Sequence, residues 1–118
     1  MVSVSILRKR EDFTRLRTVR PFNTDGFSLR TAPASDSMKE GRDTGCRVGI
    51  TVSKYCSKKA VERNRIKRRL RRVIAQTWPE LAHAGHDYVV IARVAALTMP
   101  YARLCADAQR GLKKLHAP

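Results

Sequence analysis

Between Lys58 and Arg72 the sequence places nine cations, Lys58, Lys59, Arg63, Arg65, Lys67, Arg68, Arg69, Arg71 and Arg72, against a single acid, Glu62. A solvated helix normally intersperses signs, because like charges three or four residues apart each cost roughly 0.2–0.5 kcal/mol. A group outside the fold must offset that repulsion. Phosphate does so, since each neutralised phosphate releases condensed counterions and binding becomes steeply salt-dependent. Arginine suits the task, because its planar fork bonds two phosphate oxygens or stacks on a base. Asn64 is an uncharged amide among these cations, so its use is a directed hydrogen bond, made either to a nucleic acid or to the neighbouring loop. A merely soluble basic face, or a localisation signal, is the competing reading of the run.

The remaining residues capable of chemistry are sparse. His83 and His86 fall in an expected loop with Gly85, and His116 lies near the last residue, so these three are expected exposed, without a carboxylate or thiol partner for a triad or metal set. Asp87 follows His86 directly, and neighbours on a strand point to opposite faces, which makes it a strand-start residue rather than half of an acid–base pair. Cys46, Cys56 and Cys105 are odd in number and widely spaced, as reduced thiols would be; neither a disulfide framework nor zinc is suggested. No catalytic residue and no metal ligand is therefore expected.

Composition bounds the partner. The 118 residues carry 25 Lys and Arg against 10 Asp and Glu, a formal charge of +15 that calls for a polyanion. Nucleic acid comes first. A membrane is less suited, because no stretch approaches the roughly 20 apolar residues needed to span and the start lacks a signal-peptide core. A cytoplasmic protein is expected. At 42% hydrophobic the chain can build one modest core, so residues 1–118 are read as a single domain.

The elements that must position the cations follow from periodicity. Residues 1–8 read as a flexible arm, and Lys9–Thr18 as a short helix with Phe13 and Leu16 on one side. Phe27–Thr31 alternates as a strand, and 33–45 has the Pro, Gly, Ser and Asp content of an exposed loop. In the next strand Cys46, Val48, Ile50 and Val52 face the core, leaving Arg47, Gly49, Thr51 and Ser53 opposite; that second face is either plain solvated sheet or a bed for a nucleic-acid strand. Ser57 is the expected N-cap of a helix running to about Thr77, ended by the restriction Pro79 places on Trp78. Ile66, Leu70, Val73, Ile74 and Thr77 form its buried stripe. Asp87–Arg93, apolar on both faces, reads as an interior strand, and Thr98 caps a closing helix with Pro100 in its first turn.

The string Arg47-Val-Gly-Ile-Thr-Val-Ser-Lys54, followed by Arg63-Asn-Arg-Ile-Lys-Arg-Arg-Leu-Arg71, closely resembles the bacterial ribonuclease P protein component, whose hallmark is an R-N-R helix after an R-V-G strand. Glu11-Asp-Phe13, Asp87-Tyr-Val-Val-Ile-Ala-Arg93 and the closing helix extend the likeness over most of the chain. The resemblance implies an α/β (α+β) domain of order α-β-β-β-α-β-α, ribosomal protein S5 domain 2-like, with three antiparallel strands and a left-handed βαβ crossover around the basic helix. It also implies a role: protein subunit of a ribonucleoprotein whose RNA, with magnesium, cleaves precursor tRNA to its mature 5′ end. The partners would be that catalytic RNA and precursor tRNA, with no obligate protein partner.

Carried onto this sequence, Arg63, Asn64, Arg65, Lys67, Arg68, Arg71 and Arg72 would face the catalytic RNA or the substrate near its cleavage site. A cleft between the first helix and the open sheet face would hold the single-stranded 5′ leader, using Phe13, Arg17, Arg30, Arg47, Thr51 and Ser53. Phe13 can stack on a base or belong to the core. Arg17 stands where relatives often have a second aromatic, and Arg30 where some have Tyr, which shifts the cleft from stacking toward charge. Two rivals stand beside this reading. An enzyme acting through protein groups would have to use the three histidines, and a generic RNA- or DNA-binding module, such as a ribosomal protein, would share the charge.

Overall fold

The computed structural model describes residues 2–8, 10–34 and 45–117. In chain order the elements are β1 (Ser3–Ile6), α1 (Arg10–Leu16), β2 (Phe22–Asn23), β3 (Phe27–Pro33), β4 (Gly45–Thr51), α2 (Ala60–Leu81), β5 (His86–Ala92), a 3₁₀ turn (Val94–Leu97) and α3 (Tyr101–Leu115). The strands form one five-stranded mixed sheet of order β1-β4-β5-β3-β2.

Strand β5 is apolar on both faces because both are covered. Tyr88 and Val90 join Phe27, Leu29, Cys46 and Val48 beneath α2 and α3, while Val89 packs with Leu7 and Leu16 beneath α1. The sheet therefore lies between two helices on one side and one short helix on the other. Strand β5 occupies the centre, antiparallel to β3 and parallel to β4. The three successive strands β2, β3 and β4 do alternate in direction, but β5 is inserted between the last two, so β3 and β4 share no ladder. Gly85, with φ +77°, makes the turn into β5. Its N–H donates to Gly45 O at 2.8 Å and its carbonyl accepts from Ala34 N at 2.8 Å, so one turn fastens the ends of both flanking strands.

The N-terminal arm contains a strand that alternation did not reveal. Ser3–Ile6 pairs parallel with Gly45–Val48 at the sheet edge, and Val2 N–H donates to Pro79 O at 2.8 Å, satisfying a carbonyl at the open end of α2. Of the loop expected over 33–45, residues 35–44 lie outside the described residues. At its margins Pro33 closes β3, Ala34 is buried and Gly45 opens β4.

Both ends of α2 differ from expectation. Lys59, not Ser57, occupies the N-cap position, with no side-chain cap bond. Ser57 acts from two residues upstream: its Oγ accepts from Lys59 N–H at 3.3 Å and donates to Glu62 Oε1 at 2.7 Å. At the other end α2 continues through Pro79 to Leu81. A proline in the last turn forfeits its own N–H bond to the preceding turn. Trp78, 1% exposed and edge-on to Tyr88 at 5.8 Å, holds that turn in the core, and Ala82 N–H returns to Trp78 O at 2.9 Å. In α3, Pro100 stands at the N-cap position rather than inside the first turn. Among the described residues no helix is long and apolar enough to cross a membrane.

Candidate nucleic-acid interface

The buried stripe of α2 is the one expected, Ile66, Leu70, Val73, Ile74 and Thr77, with Trp78 added. That docking fixes where every cation points. With 3.6 residues per turn, Arg68 lies opposite the stripe, Asn64 and Arg71 on the flank toward β1, and Arg65 and Arg72 on the flank toward α3. Asn64, Arg65, Arg68, Arg71 and Arg72 are all exposed. Among the described residues none of the α2 cations pairs with a carboxylate; the ion pairs there belong to Arg15, Arg47, Arg103 and Arg110. Asn64 makes no hydrogen bond among the described residues, which leaves its amide directed outward.

Three cations of the run are engaged within the fold. Arg63 Nη1 donates to Ser57 O and Lys58 O, each at 2.9 Å, and so ties the preceding turn to the helix. Arg69 donates to the carbonyls of Ala96 and Met99, bracing the 3₁₀ turn. Arg72 sits over the Tyr101 ring with Cζ 5.2 Å from its centroid. Arg65, Lys67, Arg68 and Arg71 remain uncommitted to such contacts.

Two cavities flank α1. The first, about 350 Å³, is floored by Ile6, Leu7, Val48, Ile50 and Ile74 and rimmed by Arg8, Lys67 and Arg71. The second, about 280 Å³, is lined by Arg10, Thr14, Leu16, Arg17, Arg30, Thr51, Val89 and Ile91. Phe13 lines both. Its ring is half-buried and joins the small apolar cluster of Leu7, Leu16 and Val89, so it is core on one side and cavity wall on the other. Among the described residues Arg30 Nε, in the second cavity, is buried without a hydrogen-bond partner. A buried guanidinium N–H with no acceptor is costly, and an anion entering the cavity would supply one.

The expected cleft residues are thus only partly assembled. Phe13, Arg17, Arg30 and Thr51 share the second cavity. Ser53 is exposed beyond the end of β4, where its carbonyl accepts from Cys56 N–H at 3.0 Å and Ser57 N–H at 3.4 Å. Arg47 lies elsewhere on the same face, bidentate on Asp87, with Nε to Oδ1 at 2.9 Å and Nη2 to Oδ2 at 2.7 Å. Arg15 Nη2 reaches the same Oδ2 at 2.6 Å, and its Nη1 donates to Pro33 O at 2.9 Å. Asp87, fully buried, therefore clamps α1 and β4 together rather than merely opening a strand. Its signal in the sequence is a lone acid inside an apolar strand of a strongly basic chain, which must be paired if buried. Arg8 and Arg10 were also missed, because both precede or begin a helix too short for periodicity to orient.

The histidines are not isolated. His83 and His116 stack with centroids 3.6 Å apart, and His86 meets both edge-on. His116 Nε2 lies 2.6 Å from the Tyr88 hydroxyl, which also accepts from His83 N–H at 2.8 Å. Burial, then the charges of His83 and His86, push the His116 pKa down to about 4, and burial pushes the Tyr88 phenol up to about 12. Among the described residues no three His, Cys, Asp or Glu side chains are arranged to hold a metal ion. The cluster fastens the end of α3 to the turn before β5.

Comparison with known proteins bears on this surface. Residues 1–116 match the profile of the Ribonuclease P family. The ribonuclease P protein component of Paramagnetospirillum magneticum is 43% identical over 112 residues, covering 94% of this chain and 82% of that protein. The RNase P protein of Staphylococcus aureus superposes with TM-score 0.69 at 27% identity, over 98% of this chain and 97% of that one. The RNase P protein of Thermotoga maritima gives TM-score 0.74 at 23% identity, over 96% and 99%, a likeness of fold. With the R-V-G strand and the R-N-R helix set on that fold, this chain belongs to the Ribonuclease P protein family.

Proposed function

We propose that this chain is the protein subunit of a cytoplasmic ribonuclease P ribonucleoprotein, binding the catalytic RNA and the 5′ leader of precursor tRNA during leader removal. In this reading Asn64, Arg65, Lys67, Arg68 and Arg71 contact the catalytic RNA or the substrate beside the scissile phosphate. Arg63 and Arg72 contribute from positions already held by the loop carbonyls and Tyr101. The leader runs through the cavities around Phe13, its phosphates near Arg10, Arg17 and Arg30.

The observation that carries the reading is the continuity of the two surfaces through Phe13. The ring borders the cavity rimmed by Lys67 and Arg71 of α2 and the cavity lined by Arg17 and Arg30. One strand can therefore pass from the basic helix into the cleft without leaving positive potential. The chemistry proposed for the chain is positional. The RNA subunit supplies the catalytic centre and its magnesium ions, and no catalytic residue is assigned to the protein; the uncommitted groups from Asn64 to Arg71 of α2 are cations and an amide, suited to phosphate rather than to a divalent metal.

Reconstitution tests this directly. The purified chain should stimulate cleavage of precursor tRNA by a bacterial ribonuclease P RNA at low magnesium, while an unrelated protein of equal charge should not. Equal stimulation by both, or by neither, refutes the proposal.

A further inference from the structure

We infer that Tyr55, in the turn between β4 and α2, is a stacking platform for one unpaired base of the RNA that α2 contacts; this rests on the reading of α2 as an RNA-binding helix. Tyr55 is the most exposed large apolar side chain among the described residues, at 102% of its reference area. Its ring contributes nothing to the core, so the fold does not account for it.

The turn that carries the ring is preorganised. Ser53 O accepts from the N–H groups of Cys56 and Ser57, Ser57 Oγ bonds Glu62, and Arg63 closes on the carbonyls of Ser57 and Lys58. The backbone on either side of the ring is thus fixed by a turn anchored to the first turn of the basic helix, so the Tyr55 side chain is what remains to be ordered on binding. Lys54, Lys58 and Lys59 lie within four residues of it in sequence, all exposed, and Val61, 76% exposed, is the nearest exposed large apolar residue along the chain.

This combination selects its occupant. One ring and one valine are far too little apolar area for a protein interface, whose buried patch runs to about 800 Å² per partner. Cations beside an exposed aromatic face match single-stranded nucleic acid, the lysines meeting phosphates and the ring meeting a base of any identity. The engagement of Arg63 within the fold gains a purpose here, since the first arginine of the R-N-R motif fixes the turn that presents Tyr55.

The test is the affinity of the full chain for a ribonuclease P RNA measured across salt concentration. Tyr55→Ala should bind about tenfold more weakly at every salt, with an unchanged slope, because a stack is lost and no phosphate contact is. Tyr55→Phe should bind as wild type, and neither variant should shift the melting temperature. Arg65→Ala with Arg68→Ala serves as the companion, expected to lower both affinity and slope. If the companion weakens binding while Tyr55→Ala does not, the platform is refuted and the parent reading stands. A changed slope or melting temperature in Tyr55→Ala also refutes stacking. If the arginine pair and Tyr55→Ala are both silent, the parent reading itself falls.

Discussion

The Phe13 ring rests on the backbone of Gly49: a β-carbon on residue 49 would stand 2.3 Å from Phe13 Cζ and 2.6 Å from Cε1. No real contact of that kind is so short, so the glycine of the R-V-G strand is the seat of the residue shared by both cavities. Any side chain there must evict the ring. Gly49→Ala is expected to destabilise the fold by about 1–3 kcal/mol, the usual cost of overpacking. It should also reduce the preference for precursor over mature tRNA. Denaturant unfolding and tRNA binding check the two effects. Phe13→Ala introduced with Gly49→Ala should relieve the clash, so the double variant should be more stable than the sum of the single losses. Strict additivity would show that ring and glycine do not meet.

Asp87 anchors the cleft wall. One buried carboxylate holds Arg47 from β4 and Arg15 from α1, whose side chains are 11% and 33% exposed. Asp87→Ala is expected to cost about 3–5 kcal/mol, because a guanidinium is left largely buried without its partner. Arg15→Ala should cost less than Arg47→Ala, since Arg15 retains more water and makes one bond to Asp87 where Arg47 makes two. Urea midpoints decide the order, and a harmless Arg47→Ala would remove the clamp from the account.

Replacing Arg65 and Arg68 by Ala should lower the slope of log affinity against log salt by about 1.4–1.8, if each arginine neutralises one phosphate. Titrations from low to moderate salt measure it. The melting temperature should hold, because both residues are exposed and neither makes an ion pair among the described residues.

The histidine cluster gives stability a pH dependence. His116, its pKa lowered to about 4 by burial and by His83 and His86, favours the folded state only while neutral. Its contribution is complete above about pH 6.5, the ordinary histidine value, and is lost as pH falls toward 4. Melting temperature should therefore decline across that window, and His116→Gln should decline less steeply. A variant as steep as the wild type would assign the acid sensitivity to other groups.

What the sequence alone determined is what repeats at short range. The stripe of α2 is periodic and the density of cations around it is compositional, so the helix, its buried side and its surplus of positive charge were legible without coordinates. The interior placement of β5 followed from its two apolar faces in the same way. Tertiary structure decided the rest, because it depends on pairs far apart in the chain. Asp87 meets arginines 40 and 72 residues away, and no local pattern marks such a pair. Arg63 and Arg69 look like their neighbours in sequence, yet backbone carbonyls of adjoining segments claim them. Pro79 should end a helix by local rule, and the burial of Trp78 overrides it. Ser3–Ile6 becomes a strand only because β4 offers it an edge. Charge density is a property of composition and survives any fold, whereas the direction of each charge is set by whichever carbonyl, carboxylate or ring the fold brings within reach.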